Sequence, residues 1–169
     1  MMNRFSVIVL VVAAIFSLAA AESVNQLKNP EIIASEPGRF PHWVKPHGSV
    51  KSSGGIIELI PDAKSKKALV FQMFDPAPEK LYFLTCEIWV SPECTRGKVY
   101  AEEQRKDKQG KIRYKSFFAR QKTVPGQWVK IKIPVKLEPG WKVFYTAAVA
   151  EGGSCKIRNL MFARDAEGK

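Results

Sequence analysis

From Leu81 to Val90 the chain alternates without a break. Tyr82, Leu84, Cys86, Ile88 and Val90 fall on one side, and Phe83, Thr85, Glu87 and Trp89 on the other. A period of two suits a strand, whose successive side chains point to opposite faces, and would scatter these residues around a helix. The first set is apolar enough to face a core. The second joins two aromatics to a threonine and a carboxylate, the composition of a face that stays partly wet or contacts something. No amphipathic helix or heptad appears after residue 21, and strand-like runs closed by turn residues continue along the chain. Ile56 to Ile60 ends at Pro61-Asp62, and Ala68 to Phe74 ends at Asp75-Pro76-Ala77-Pro78. Lys98 to Lys106 and Ile112 to Arg120 flank Asp107-Lys108-Gln109-Gly110, a hairpin-type turn. Trp128 to Val135, Trp141 to Ala150 and Cys155 to Phe162 follow, separated by Glu138-Pro139-Gly140 and Gly152-Gly153. Eight or nine short strands at this spacing predict an all-β chain, an antiparallel β-sandwich or barrel.

The first residues predict export. Arg4 precedes an apolar stretch from Phe5 to Leu18, and Ala19-Ala20-Ala21 supplies the small residues of a cleavage site, so residues 1–21 read as a signal peptide. The stretch is shorter than the roughly 20 apolar residues of a spanning helix. The expected product is secreted or periplasmic, with no membrane span. Removing residues 1–21 from 169 leaves 148, a single domain over 22–169 able to bury about two-thirds of its unfolded surface. Loss of Arg4 takes the net charge from +11 to +10. Outside the cell such a balance favours anionic polysaccharide, anionic lipid head groups or acidic envelope polymers over nucleic acid as partners. Cys86, Cys94 and Cys155 predict one disulfide and one free thiol in an oxidising compartment, with the pairing open.

Three segments together resemble the jelly-roll carbohydrate-binding modules of the galactose-binding-like superfamily. The first is Gln26-Leu27-Lys28-Asn29-Pro30-Glu31 with Pro41-His42-Trp43 and Gly48-Ser49-Val50; the second is Lys80 to Val90. The third runs from Val124 to Phe162 through Gly126-Gln127-Trp128-Val129, Glu138-Pro139-Gly140, Gly152-Gly153 and Asn159-Leu160-Met161-Phe162. The resemblance implies a jelly-roll sandwich and a non-catalytic sugar-binding role. Many such modules hold a structural calcium through carboxylates. This chain has Ile33-Ala34 and Arg158-Asn159 at the corresponding places, so no metal is carried over. No cofactor is implied either.

Sugar binding needs flat rings for stacking and polar groups for hydroxyls. Trp89, Phe83 and Glu87 on the non-core side of the central strand meet that need. Tyr100, Gln104 and Gln72 would complete a groove if their strands were neighbours, and Trp141 offers another platform. Trp43 and Trp128 read as core residues. His42 and His47, five residues apart, have no third ligand at a metal spacing. Glu102 and Glu103 face opposite ways on one strand, leaving Glu87 with Glu103 as the one carboxylate pair able to flank a cleft. The expected function is therefore a carbohydrate-binding module, inclined towards an acidic polysaccharide. The alternative is a structural or protein-interaction sandwich of the cell envelope; a third, a small glycan-active hydrolase or lyase, would need two convergent titratable groups in the groove.

Overall fold

The computed structural model describes residues 24–36, 39–141 and 143–165; the proposed signal peptide lies outside them. Ten strands form two antiparallel five-stranded sheets. The strands are β1 (Val44–His47), β2 (Ser49–Ser53), β3 (Ile56–Ile60), β4 (Lys67–Phe74), β5 (Leu81–Val90), β6 (Arg96–Lys106), β7 (Ile112–Phe118), β8 (Val129–Lys136), β9 (Val143–Glu151) and β10 (Cys155–Arg164). One sheet has the order β1-β4-β9-β6-β7 and is called the β9 sheet; the other, β2-β3-β10-β5-β8, is the β10 sheet. The eight runs legible in the sequence all become strands. The two further strands, β1 and β2, come from the Pro- and Gly-containing stretch that reads as loop. Gly48 separates them at φ 72, and a Cβ there would lie 2.6 Å from that of Ala68.

Alternation decides what goes inside. Tyr82, Leu84, Cys86, Ile88 and Val90 are all buried, as are Ile131, Ile133 and Val135 of β8. Phe162 stacks on Tyr82 at 5.0 Å and meets Phe74 edge-on at 5.0 Å, so it joins the two sheets at the centre of the core. Leu27, Ile32, Phe40 and Trp43, from the segment before β1, close one end. The Trp43 indole N–H donates to the Asn29 carbonyl at 2.8 Å, which satisfies its one polar atom. The expected Asp107–Gly110 turn is present, Gly110 N–H donating to the Asp107 carbonyl at 2.9 Å. At the free edge of the β10 sheet, β8 carries Pro134 and exposed lysines, features that discourage pairing with another strand.

Two expectations need correction here. All three cysteines are free thiols. Cys155 stands opposite Val90, and Cys86 lies four residues further along β5, about 13 Å at strand rise and beyond the reach of a disulfide. Trp128 is half-buried rather than a core residue, and the Arg158 guanidinium covers its ring at 4.3 Å.

Candidate functional site

The residues proposed for binding do not share one surface. Phe83, Glu87 and Trp89 lie on the outer face of the β10 sheet, half-buried. Tyr100 and Gln104, on β6, lie on the outer face of the β9 sheet, on the other side of the sandwich. The groove joining β5 to β6 is therefore absent, because these sequence neighbours cross from one sheet to the other. Gln72 is on the inner side of β4, only 2% exposed. Its carboxamide accepts from Lys28 N–H at 2.9 Å and donates to the Lys28 carbonyl at 2.7 Å, so it anchors the N-terminal segment and lies apart from the rings of either outer face. Trp141 packs against the end of the core, its ring edge-on to Phe144 at 6.3 Å. Glu103 is fully buried between the sheets, bonded to Arg105 at 2.6 Å, and cannot share a cleft with the outward Glu87. Among the described residues no three His, Cys, Asp or Glu side chains group as a metal site.

The outer face of the β9 sheet collects rings that the sequence pattern did not group. Register sets Phe71 of β4, Ala147 of β9, Tyr100 of β6 and Phe118 of β7 in one row. The next row holds Met73, Tyr145, Glu102 and Ser116. Tyr145 lies 5.7 Å from Phe71 and 6.3 Å from Tyr100, and Tyr100 lies 5.7 Å from Phe118, centroid to centroid. Ala147 and Val149 make the floor and are 1% and 3% exposed although they point outward, because the flanking side chains close over them. Val44, Met73, Ile112, Tyr114 and Phe118 all project exposed from this sheet, five of the eight large apolar side chains exposed among the described residues. Among the rings stands one carboxylate. Glu102 accepts from the Tyr145 hydroxyl and, at 2.6 Å, from that of Ser116. Burial, then the hydrogen bond to Glu102, holds the Tyr145 phenol above its ordinary pKa; burial does the same for Tyr100. Lys98 lies 4.0 Å over the Phe118 ring and 5.1 Å from that of Tyr100, so one cation meets two of the four rings.

The outer face of the β10 sheet uses its rings differently. Lys132 sits 3.9 Å over Phe83 and Lys156 5.0 Å over Trp89, so each ring face is taken by a cation. Glu87 accepts from Arg158 Nε at 2.8 Å and Nη2 at 2.6 Å. That hydrogen bonding, with help from Asn159 and Lys130, keeps its carboxyl below the usual range. Lys51, Lys130, Lys132, Lys136, Lys156 and Arg158 outnumber Glu58 and Glu87 on this face, and it is strongly basic.

Comparison with solved structures identifies the fold. The C-terminal family 22 carbohydrate-binding module of Clostridium thermocellum Xyn10B superposes with a TM-score of 0.54 at 16% identity, over 75% of this chain and 88% of that one. The CBM22-1 xylan-binding domain of Paenibacillus barcinonensis Xyn10C gives 0.55 at 11% identity, over 80% and 90%. The enzymatically active domain of bacteriophage CBA120 tailspike protein 4 gives 0.57 at 13% identity, over 83% of this chain but 21% of its own length. No family model matches the sequence, and no curated protein does. The likeness is one of fold: the chain is the jelly-roll sandwich found in carbohydrate-binding modules, as the sequence motifs implied.

Proposed function

We propose that this protein is a carbohydrate-binding module that takes a polysaccharide across the outer face of its β9 sheet. The observation that carries the reading is the grouping of Phe71, Tyr100, Tyr145 and Phe118 around the acceptor Glu102, on a fold shared with modules named for xylan binding. Sugar rings present apolar C–H faces and a rim of hydroxyls. Solvent-reachable aromatics stack on the former, while Glu102, Ser116, Gln104 and the tyrosine hydroxyls serve the latter. The rings are held by one another and by the sheet, so little side-chain freedom is lost on binding. The role is non-catalytic: the acid next to these rings is engaged by Tyr145 and Ser116, and the second carboxylate on the same strand, Glu103, is sealed inside. Export through cleavage after residue 21 would bring the domain to extracellular or envelope glycans, and its basic character inclines it to acidic ones.

Affinity electrophoresis through gels containing neutral xylan tests the proposal. The protein should be retarded, and Tyr145→Ala should run as in a gel without polysaccharide. Unretarded migration in xylan and in other neutral β-linked polysaccharides would overturn it. The exposed apolar residues favour a protein-interaction surface as the second reading, and self-association that Tyr114→Lys abolishes would support that instead.

A further inference from the structure

The second sheet carries a constructed feature that the glycan reading does not use. On β10, Arg158 pairs with Glu87 and Met161 with Thr85, so Asn159 and Leu160 together oppose the single residue Cys86. This is a β-bulge, a device that re-aims a side chain and recurs beside binding sites. Leu160 turns into the core, and Asn159 is left exposed at φ 54, a conformation asparagine tolerates better than most residues. The backbone groups around the bulge are satisfied from outside the sheet. Asn25 donates its amide to the Leu160 carbonyl at 3.1 Å and accepts from Phe162 N–H at 3.0 Å. The distortion is thereby locked.

The bulge opens a depression of about 410 Å³ between β10, β5 and β8. Its side-chain lining includes Thr85, Glu87, Gln121, Lys130, Lys132 and Asn159. Residues that carry a hydroxyl, a carboxylate, two amides and two ammonium groups thus border one space, with Cys86 and Ile131 adding apolar wall. Glu87 is bonded to Arg158, and neither Lys130 nor Lys132 has a carboxylate within ion-pair distance among the described residues. With Arg158 included, three cations stand against one acid. We propose that this depression binds a carboxylate-bearing sugar unit of an acidic polysaccharide, as a second site on the face opposite the aromatic one. Lys130 and Lys132 take the carboxylate; Glu87, Asn159, Gln121 and Thr85 take the hydroxyls. Lys136 and Lys156 extend positive charge along the sheet for neighbouring units of the polymer. A lipid surface fits less well, since the strands of this sheet carry none of the exposed large apolar side chains that would insert. The inference deepens the polysaccharide reading but stands on different side chains.

The test measures affinity for polygalacturonate, with polyglutamate as a carboxylate polymer that lacks sugar. The parent protein should bind polygalacturonate, more weakly as salt rises, and at least tenfold more tightly than polyglutamate. Lys130→Glu with Lys132→Glu should lose at least tenfold, while Tyr145→Ala keeps parental affinity. Asn159→Gly retains the backbone conformation and removes the amide, and should lose several-fold for polygalacturonate alone. Parental affinity in the double lysine variant, or equal binding of the two polymers by the parent, would overturn the site. A protein that binds polygalacturonate but no neutral glycan would retain this site and remove the aromatic-face reading.

Discussion

The two outer faces of the sandwich are built on the same pleat yet differ in how many of their rings meet a cation. On the β9 sheet, Phe71, Tyr100, Tyr145 and Phe118 lean on one another over a floor of Ala147 and Val149, and the carboxylate among them is bonded to hydroxyls. On the β10 sheet, Phe83, Trp89 and Trp128 each lie beneath a lysine or arginine, and the carboxylate is bonded to a guanidinium. A ring covered by a cation has its face occupied and must exchange that partner to stack on a sugar. On the β9 face Lys98 approaches Phe118 and Tyr100, whereas Phe71 and Tyr145 are held by other rings and keep more of their faces for the ligand. Composition alone would rank the two surfaces equally; what covers each ring separates them.

The comparison breaks most severely if the core between the faces is damaged. Phe162 touches both sheets, so Phe162→Ala should cost about 3–5 kcal/mol in chemical denaturation and impair both faces together. A loss on one face alone would mean the faces do not share a core. Tyr145→Ala should weaken neutral-glycan binding by about 30-fold, the effect of a hot-spot ring worth about 2 kcal/mol, and leave anionic binding intact. Ser116→Ala removes one donor to Glu102 and should cost only about threefold to tenfold on the β9 face, the net worth of an ordinary hydrogen bond, as read by calorimetric titration.

Acidity sharpens the contrast further. Glu87 has its folded pKa lowered by Arg158, so its contribution to stability is fully present above the ordinary glutamate value and is lost as pH falls through the lowered one. Denaturation of Glu87→Gln against the parent should show a difference near neutrality that closes below about pH 4. On the other face, Tyr145 and Tyr100 have raised phenol pKa values and remain neutral through the ordinary tyrosine range. Glycan affinity on the β9 face should therefore stay flat up to about pH 10 wherever the fold persists. A decline following an ordinary phenol titration would show that these hydroxyls are not held as described.

Much of the fold was legible because it rests on local pattern. The alternation of Leu81–Val90 and Val129–Lys136 and the Asp107–Gly110 turn carry their own instructions, and the core face of each strand follows directly. The strands β1 and β2 were hidden because Pro46 and Gly48 mark a loop by composition, while pairing with β4 and β3 makes strands there. The candidate site was less legible, because strand order is a long-range property. Tyr100 was singled out, yet its companions Phe71, Tyr145 and Phe118 come from three other strands and meet only through the order β4-β9-β6-β7. Alternation did hold a signal for them: Phe71 and Tyr145 have buried neighbours on both sides in sequence, which marks them as outward-facing rings. Gln72 was misplaced by one step of the pleat. Polar identity suggested water, whereas its parity with Ala68 and Val70 put it inside, where Lys28 supplies its hydrogen bonds.

The measurement closest to the central claim is an NMR titration of the isotope-labelled domain with a xylan oligosaccharide. The account predicts that shifts cluster at Tyr100, Glu102, Ser116, Phe118 and Tyr145, with Phe83, Glu87 and Trp89 unmoved. Shifts centred on β5 and β10, or none at saturating oligosaccharide, would contradict it.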